Sequence, residues 1–306
     1  MELPTFSFAV ESLFTMPGAW LINGTQKAGK SLLAMQAALS LNAHVPFLDR
    51  YECKIEAPCP VLVLEQDDPS QLAAVQLILK RTEIPFDPDS FYSVEKAAFC
   101  IEQLFIEYLE QRIAAEGLKV IVLDSYTAMR APRRAGCDLV KVESAELQLL
   151  DSLAKRTNTL ILLIHHTSRG HAGLDWSEKA SGSFAVGAAV EGQLYIERYP
   201  ELPATAPERL IRIQARHLSG IEMTVRLDER TLNYDFVLDG AAAPYFPMLQ
   251  RIHEEFGVGT FSPKSLAFCT GLARASVHRL IARLLAGKVA AKAGHGEYKL
   301  NAFLRL

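Results

Sequence analysis

The sequence predicts an α/β fold: a parallel β-sheet flanked by helices, extended by antiparallel strands and followed by a small second domain. An apolar segment at residues 19–22 leads into a glycine-containing loop and then a strong helix-forming segment. Apolar runs then alternate with helical segments as far as residue 166, and short strand-like runs follow residue 183. Alternating strands and helices are typical of a right-handed parallel sheet, whose ligand lies at the carboxyl ends of the strands.

Length and composition agree with an ordinary globular protein. The chain has 306 residues, of which 49% are hydrophobic and 22% charged, a length that favours one large and one small domain. No apolar run reaches transmembrane length, the first residues do not resemble a signal peptide, and the five cysteines form no Cys-x-x-Cys pair. These features predict a cytoplasmic protein with inert thiols and no membrane partner.

The loop at residues 24–31 reads Gly-Thr-Gln-Lys-Ala-Gly-Lys-Ser and matches the P-loop pattern between a strand and a helix. Its glycines let several backbone N–H groups turn inward, and the helix N-terminus adds partial positive charge. Lys30 can reach the β- and γ-phosphates of ATP, and the Ser31 hydroxyl can ligate Mg²⁺. The predicted ATP-binding residues are Gly24, Thr25, Gln26, Lys27, Ala28, Gly29, Lys30, Ser31 and Leu32.

Two acidic residues end other predicted strands. Asp124 follows the apolar run 119–123, where a carboxylate can hold Mg²⁺ beside Ser31; an Asp in an ordinary β–α turn is the alternative. Glu65 follows the run 61–64 and can polarise the water that attacks the γ-phosphate. Asp67 and Asp68 are nearby competitors for that role, although helix capping explains them more simply.

Histidine and arginine candidates come later in the chain. His166 follows the strand 159–164 and can contact the γ-phosphate, while His165 points to the other side of the strand and is more easily structural. A buried core histidine is the alternative for both. Arg216 ends a strand of the antiparallel extension, where a guanidinium can stabilise γ-phosphate charge at a neighbouring subunit, although Arg212 and other arginines are exposed alternatives.

Two polar loops are candidates for nucleic-acid contact. The segment 168–181 contains three basic residues and Trp176, which can meet phosphates and stack on bases. An ordinary surface loop is an equally good interpretation of this segment. The basic loop 130–134 is a weaker candidate of the same kind.

The last third of the chain has a different character. Residues 192–199, 209–216, 223–227 and 232–238 read as strands, and residues 240–244 as a linker between a core at 1–240 and a domain at 241–306. Helices at 247–256, 263–269 and 273–286 with a hairpin at 289–300 form a winged-helix pattern. Residues 264–306 carry eight basic residues and one acidic residue, whereas the whole chain has a net charge of −3. Such a basic domain suggests a polyanion partner, or simply a solvated face.

Several segments occur in the order seen in RepA-like ATPases of the RecA/DnaB-like superfamily, and residues 15–240 resemble that family. These segments are 24–31, Leu-Glu-Gln-Asp at 64–67, Val-Leu-Asp-Ser at 122–125, Leu-Ile-His-His-Thr at 163–167, Ser-Gly-Ser at 181–183 and Ala-Arg at 215–216. The resemblance implies a RecA-like P-loop NTPase core that binds ATP and Mg²⁺ at the interfaces of a hexameric ring. It also implies Glu65 as catalytic base, His166 as sensor, Arg216 as arginine finger, and loop 168–181 facing a channel for single-stranded DNA.

These observations predict an enzyme that hydrolyses ATP to ADP and phosphate while acting on DNA. A hexameric helicase or translocase in the replication of a mobile element is the leading hypothesis, with single-stranded DNA at loop 168–181 and duplex DNA at the C-terminal domain. A regulatory DNA-binding ATPase without unwinding activity is one alternative. In another, the winged helix docks a protein partner and contacts no DNA.

Overall fold

The computed structural model describes residues 7–66, 71–95, 99–133, 136–166 and 187–301. The helices of this part of the chain are α1 Lys30–Ala43, α2 Gln71–Arg81, α3 Gln103–Glu116, α4 Tyr126–Met129, α5 Leu139–Thr157, α6 Phe246–Phe256, α7 Pro263–Thr270 and α8 Arg274–Ala286. The strands are β1 Ser7–Val10, β2 Phe14–Met16, β3 Gly18–Gly24, β4 Val61–Glu65, β5 Phe91–Glu95, β6 Val120–Asp124, β7 Leu160–His166, β8 Gly192–Arg198, β9 Glu208–Ala215, β10 Leu218–Leu227, β11 Tyr234–Asp239, β12 Thr260–Phe261, β13 Ala290–Gly294 and β14 Glu297–Leu300. Within these ranges, no helix combines the length and the apolar character needed to span a membrane.

The chain divides into two compact units. The first contains Met1–Glu197, Ile213–Gly220 and Asp228–Tyr234, and the second contains Arg198–Arg212, Ile221–Leu227 and Asp235–Leu306. Strands β9, β10 and β11 contribute residues to both units.

A nine-stranded sheet has the strand order β11-β10-β9-β8-β3-β7-β6-β4-β5. Strands β3 to β8 pair in parallel wherever they are neighbours. Strands β9 and β10 are adjacent and joined by two residues only, a connection that requires an antiparallel pair. The predicted mixed α/β sheet is therefore confirmed.

The apolar composition of the central strands follows from burial on both faces. Every residue of β3 and β6 is buried, as are the first five residues of β7. Leu21, Leu123 and Leu163 form one core with Phe105 of α3 and Leu150 of α5. This packing holds the carboxyl ends of β3, β7, β6 and β4 in one row, where the parallel sheet leaves its polar residues.

Three parts of the first unit differ from the sequence expectation. Residues 91–95 form β5, which was not predicted, because its pairing partner β4 is distant in sequence and pattern alone does not reveal a short edge strand. Helix α3 begins at Gln103, later than residue 98, because the backbone N–H of Ile101 donates to the carbonyl of Met129 at 2.8 Å instead. Strands β1 and β2 form a small antiparallel pair of their own, also not predicted.

The second unit contains α6, α7, α8 and a three-stranded sheet of order β12-β14-β13. Helix α7 begins as predicted, with a capping box in which Ser262 and Ser265 bond each other's backbone N–H groups. Its core includes Phe246, Leu266 and Val277. The predicted linker at 240–244 is wrong: Gly240–Tyr245 is a 3-10 helix, because two of its alanines pack fully into this core.

Candidate functional site

The loop between β3 and α1 has a backbone that two glycines make possible. Gly29 has φ of 103°, and a Cβ there would lie 1.8 Å from the Tyr234 hydroxyl. A Cβ on Gly24 would lie 2.3 Å from the carbonyl oxygen of Ile196. Any side chain at either position would therefore push the loop away from β8 or from Tyr234. The glycine requirement inferred from the sequence has a steric cause at each end of the loop.

Lys30, the first residue of α1, is folded against this loop. Its side chain is buried, and Nζ donates to the carbonyls of Gly24 at 3.0 Å and Thr25 at 2.9 Å. An ammonium group held inside a loop of main-chain dipoles, at the N-terminus of a 14-residue helix, suits an anionic ligand. These residues therefore fit the triphosphate of ATP.

Ser31 and Asp124 meet directly. The Ser31 hydroxyl donates to Oδ2 of Asp124 at 2.5 Å, and Asp124 is only 5% exposed at the end of β6. A hydroxyl and a carboxylate are oxygen ligands of the kind that Mg²⁺ prefers, and two protein ligands beside substrate phosphates are typical for that ion. The pair thus fits Mg²⁺, although the described residues contain no group of three or more acidic, His or Cys ligands.

Glu65 and His166 lie at the same edge of the sheet. Glu65 is opposite Asp124 in the β4–β6 pair, and His166 is opposite Gly24 in the β3–β7 pair. A cavity of about 250 Å³ is lined by Ser31, Glu65, Asp124 and His166, with apolar residues of α1, α2 and the strands around them. The fold thus brings together the carboxylates, the histidine and the P-loop serine that the sequence suggested.

The two histidines at the end of β7 face opposite ways. His165 packs edge-on against Tyr126, with 5.4 Å between ring centroids. Burial lowers the pKa of His165 to about 4, helped by the positive charges of Arg130, His166 and Lys30. His165 is therefore neutral at pH 7 and belongs to the core, whereas His166 lines the cavity.

Two arginines of the basic loop 130–134 are engaged within the protein. Arg130 bonds Glu143 at 2.9 Å, and Arg133 makes two bonds of 2.7 Å to the buried Glu146. Because these guanidinium groups already have carboxylate partners, this loop is a poor site for DNA phosphates. Loop 168–181, Asp67 and Asp68 lie outside the described residues.

Arg216 lies away from this cavity, in the turn between β9 and β10. Its N–H donates to the carbonyl of Glu191 at 3.2 Å, and the N–H of Glu191 donates to the carbonyl of Ala19 at 2.9 Å. Ala19 lies near the beginning of β3, whereas Gly24 is its last residue. Arg216 is thus at the amino end of the strand whose carboxyl end carries the P-loop. Arg212, the other arginine considered, bonds Glu222 at 3.0 Å.

One residue that supports the P-loop carries no signal in the sequence. Tyr234, at the start of β11, is fully buried, and its hydroxyl donates to the carbonyl of Ala28 at 3.4 Å. Its backbone exchanges two hydrogen bonds with the side chain of Gln36 on α1, of 2.7 and 2.9 Å. Tyr234 therefore fixes the loop and the following helix from one side. Its separation of 206 residues from Ala28 hid it from pattern analysis.

Replacing Tyr234 with phenylalanine tests this support. The ring still fills its space, but the hydroxyl that reaches Ala28 and closes over Gly29 is lost. One such hydrogen bond is worth about 1 kcal/mol, so the Kd for ATP should rise about two- to fivefold. Fluorescent-nucleotide titration measures this, with Tyr245→Phe in the second unit as the matched control. An unchanged Kd would show that the hydroxyl does not shape the loop.

Comparison with known proteins agrees with this geometry. The sequence profile of the AAA domain family matches residues 3–172, more than half of the chain. Among solved structures, the ATPase domain of a helicase superposes with a TM-score of 0.56 at 11% identity, covering 72% of this chain and 85% of that one. No curated protein sequence matches. The core has the RecA-like P-loop NTPase fold, and the chain belongs to the AAA domain family.

Proposed function

We propose that this ATPase works on DNA in the cytoplasm as a hexameric ring, as a helicase or translocase whose ATP sites lie between subunits. The observation that carries the proposal is the separation of Arg216 from the P-loop along β3. Ala19 and Gly24 are about five residues apart on that strand, a length of about 16 Å. An arginine side chain does not span that distance, so Arg216 can serve an ATP site only in another copy of the chain.

The residues of the cavity have distinct roles in this proposal. Lys30 and the loop N–H groups hold the phosphates, and Glu65 takes a proton from the attacking water. Ser31 and Asp124 would hold Mg²⁺, which neutralises phosphate charge when bound. His166, which lines the same cavity as Glu65, contacts the γ-phosphate and senses its presence. Arg216 of a neighbouring subunit stabilises charge on the phosphoryl group in transfer.

DNA is proposed to contact two parts of the chain. Single-stranded DNA would meet segment 168–181, whose basic residues and Trp176 suit a phosphate backbone and stacked bases. We also propose that residues 241–306 form a winged-helix domain separate from the ATPase core at 1–240. The order α6, β12, α7, α8 and the β13–β14 hairpin supports this. Its α8 exposes Arg274, His278, Arg279 and Arg283, a surface suited to duplex phosphates.

The deciding experiment combines turnover with mass. ATP hydrolysis is measured alone, with single-stranded oligonucleotide and with duplex, at two salt concentrations, beside native mass spectrometry with and without a non-hydrolysable ATP analogue. We expect hexamers with the analogue and several-fold stimulation by single-stranded DNA that weakens with salt. A monomer that ignores both DNA forms would contradict the proposal.

A regulatory ATPase is the second candidate, and the basic surface of α8 favours it. In that case duplex DNA binds through the second unit and promotes assembly, while a partly duplex, fork-like substrate is not unwound. Stimulation by duplex alone, without strand separation, would support this candidate over the helicase. If neither DNA form binds, the same surface is best explained as a docking site for an acidic protein.

A further inference from the structure

A second cluster of charged residues lies at the amino end of β3, far along the strand from the ATP cavity. It consists of Asp151 and Lys155 on α5, Glu191 just before β8, and His217 beside Arg216. Asp151 and Glu191 are 7% and 6% exposed, so both carboxylates are nearly excluded from water. Buried carboxylates are costly unless they are paired, and none of these residues lines the ATP cavity. The cluster therefore needs an explanation of its own.

The main chain of Glu191 joins β3 to the turn that carries Arg216. Its N–H donates to the carbonyl of Ala19 at 2.9 Å, and its carbonyl accepts from the N–H of Arg216 at 3.2 Å. The guanidinium of Arg216 donates to the carbonyl of Ala188 at 2.6 Å. Segment 188–191 thus holds Arg216 by both its backbone and its side chain.

The side chain of Glu191 fixes that segment in place. One carboxylate oxygen lies 3.5 Å from Nζ of Lys155, and the other lies 3.8 Å from Nε2 of His217. Lys155 also bonds Asp151 at 2.7 Å, and Asp151 accepts from the N–H of Ala19 at 3.0 Å. The position of Glu191 is therefore set by α5 on one side and by β3 on the other.

Close packing leaves this residue little freedom. A Cβ on Gly18 would lie 2.7 Å from the Cβ of Glu191, so the strand backbone passes directly against the side chain. A residue that is confined in this way transmits its position to whatever its main chain holds. Here that is the turn at Arg216.

We infer that Glu191 is a positioning residue for Arg216, which it holds through its main-chain carbonyl while Lys155 anchors its carboxylate. The inference rests on the proposed role of Arg216 at a neighbouring ATP site. Glu191 touches neither ATP nor the attacking water in this scheme. Its role is to present the guanidinium in the orientation that a neighbouring site requires, because small displacements of a charge-stabilising group lower the rate of the chemical step.

The test compares Glu191→Gln with Arg216→Ala in the full-length protein. Arg216→Ala should lower kcat at least about 100-fold with little change in the Kd for ATP. Glu191→Gln keeps the size of the side chain and leaves Lys155 paired with Asp151, so we expect folding to be retained and kcat to fall about tenfold. Glu222→Gln, which loses only a surface partner of Arg212, should match wild type.

Two further measurements separate positioning from general damage. The double variant should hydrolyse no more slowly than Arg216→Ala alone, because Glu191 acts through that arginine. Subunits with Lys30→Ala retain an intact Arg216, so mixing them with Glu191→Gln subunits should restore turnover at the intact P-loops. Additive losses, or no rescue, would overturn the role of Glu191 while leaving Arg216 in place.

The two levels of the proposal fail differently. If Arg216→Ala keeps full turnover, the proposed intersubunit site is wrong and the role of Glu191 falls with it. If Arg216→Ala loses turnover but Glu191→Gln does not, only the positioning role is wrong. Should Glu191→Gln prove unstable in thermal unfolding, Glu191→Asp provides the same comparison, because the shorter carboxylate loses its contact with Lys155 but keeps its charge.

Discussion

Replacing Lys30 with alanine should abolish nucleotide-dependent activity, with ATP turnover lowered by about 1,000-fold or more. The ammonium of Lys30 is buried at the N-terminus of α1 and bonded to the carbonyls of Gly24 and Thr25. Electrostatic groups prepositioned in a water-poor site contribute several kcal/mol to charge stabilisation, and one such donor is worth about 100- to 1,000-fold in rate. Lys30 also holds the phosphates in the ground state, so ATP binding should weaken as well.

Turnover measured by phosphate release and binding measured by nucleotide titration both report on this variant. Lys141→Ala is a suitable control, because that lysine is 85% exposed on α5 and belongs to no part of the ATP cavity. Circular dichroism establishes that the fold is intact. Unchanged turnover in folded Lys30→Ala protein would contradict the assignment of the P-loop as the ATP site.

Replacing Glu65 with glutamine should separate binding from chemistry. Glu65 shares the cavity with Ser31, Asp124 and His166, and it lies opposite Asp124 in the β4–β6 pair. The amide keeps the shape of the side chain but cannot take a proton, and loss of a general base typically costs about 100- to 10,000-fold in rate. We therefore expect kcat to fall by at least about 100-fold, with the Kd for ATP changed less than about threefold.

The matched control for Glu65→Gln is Glu107→Gln, an exposed position on α3 that does not line the cavity. Single-turnover hydrolysis and nucleotide titration in parallel distinguish the two effects. A Kd that rises as much as kcat falls would show that Glu65 organises the pocket rather than activating water. Retained turnover would move the base to another residue of this edge.

The central part of the sheet was largely predictable from the sequence because burial on both faces leaves a simple signal. The runs at 61–64, 119–123 and 159–164 are apolar without alternation, and each became a strand with its polar residue at the carboxyl end. The spacing of the P-loop likewise reflects local backbone needs at Gly24 and Gly29. Such features depend on neighbours in sequence, so the pattern contains them.

Other features depend on residues that are distant in sequence, and the pattern is silent about them. The edge strand β5 is defined by its pairing with β4, and the alanines at 242 and 243 are buried by helices that follow later. The arginines at 130 and 133 look exposed in the sequence, yet carboxylates on α5 bind them. A basic residue in a loop reveals its charge but not its partner.

The sequence by itself determined the nature of the ATP site, because the P-loop and strand-end carboxylates are local patterns with a specific chemistry. Only the tertiary structure decided how the site is assembled. Parallel pairing in register places Glu65 beside Asp124 and His166 beside Gly24, and Tyr234 closes over Gly29 from the far end of the first unit's sequence. Arg216 lies at the opposite end of β3, held by Glu191. Strand order and register arise from the packing of the whole sheet, and no single segment encodes them.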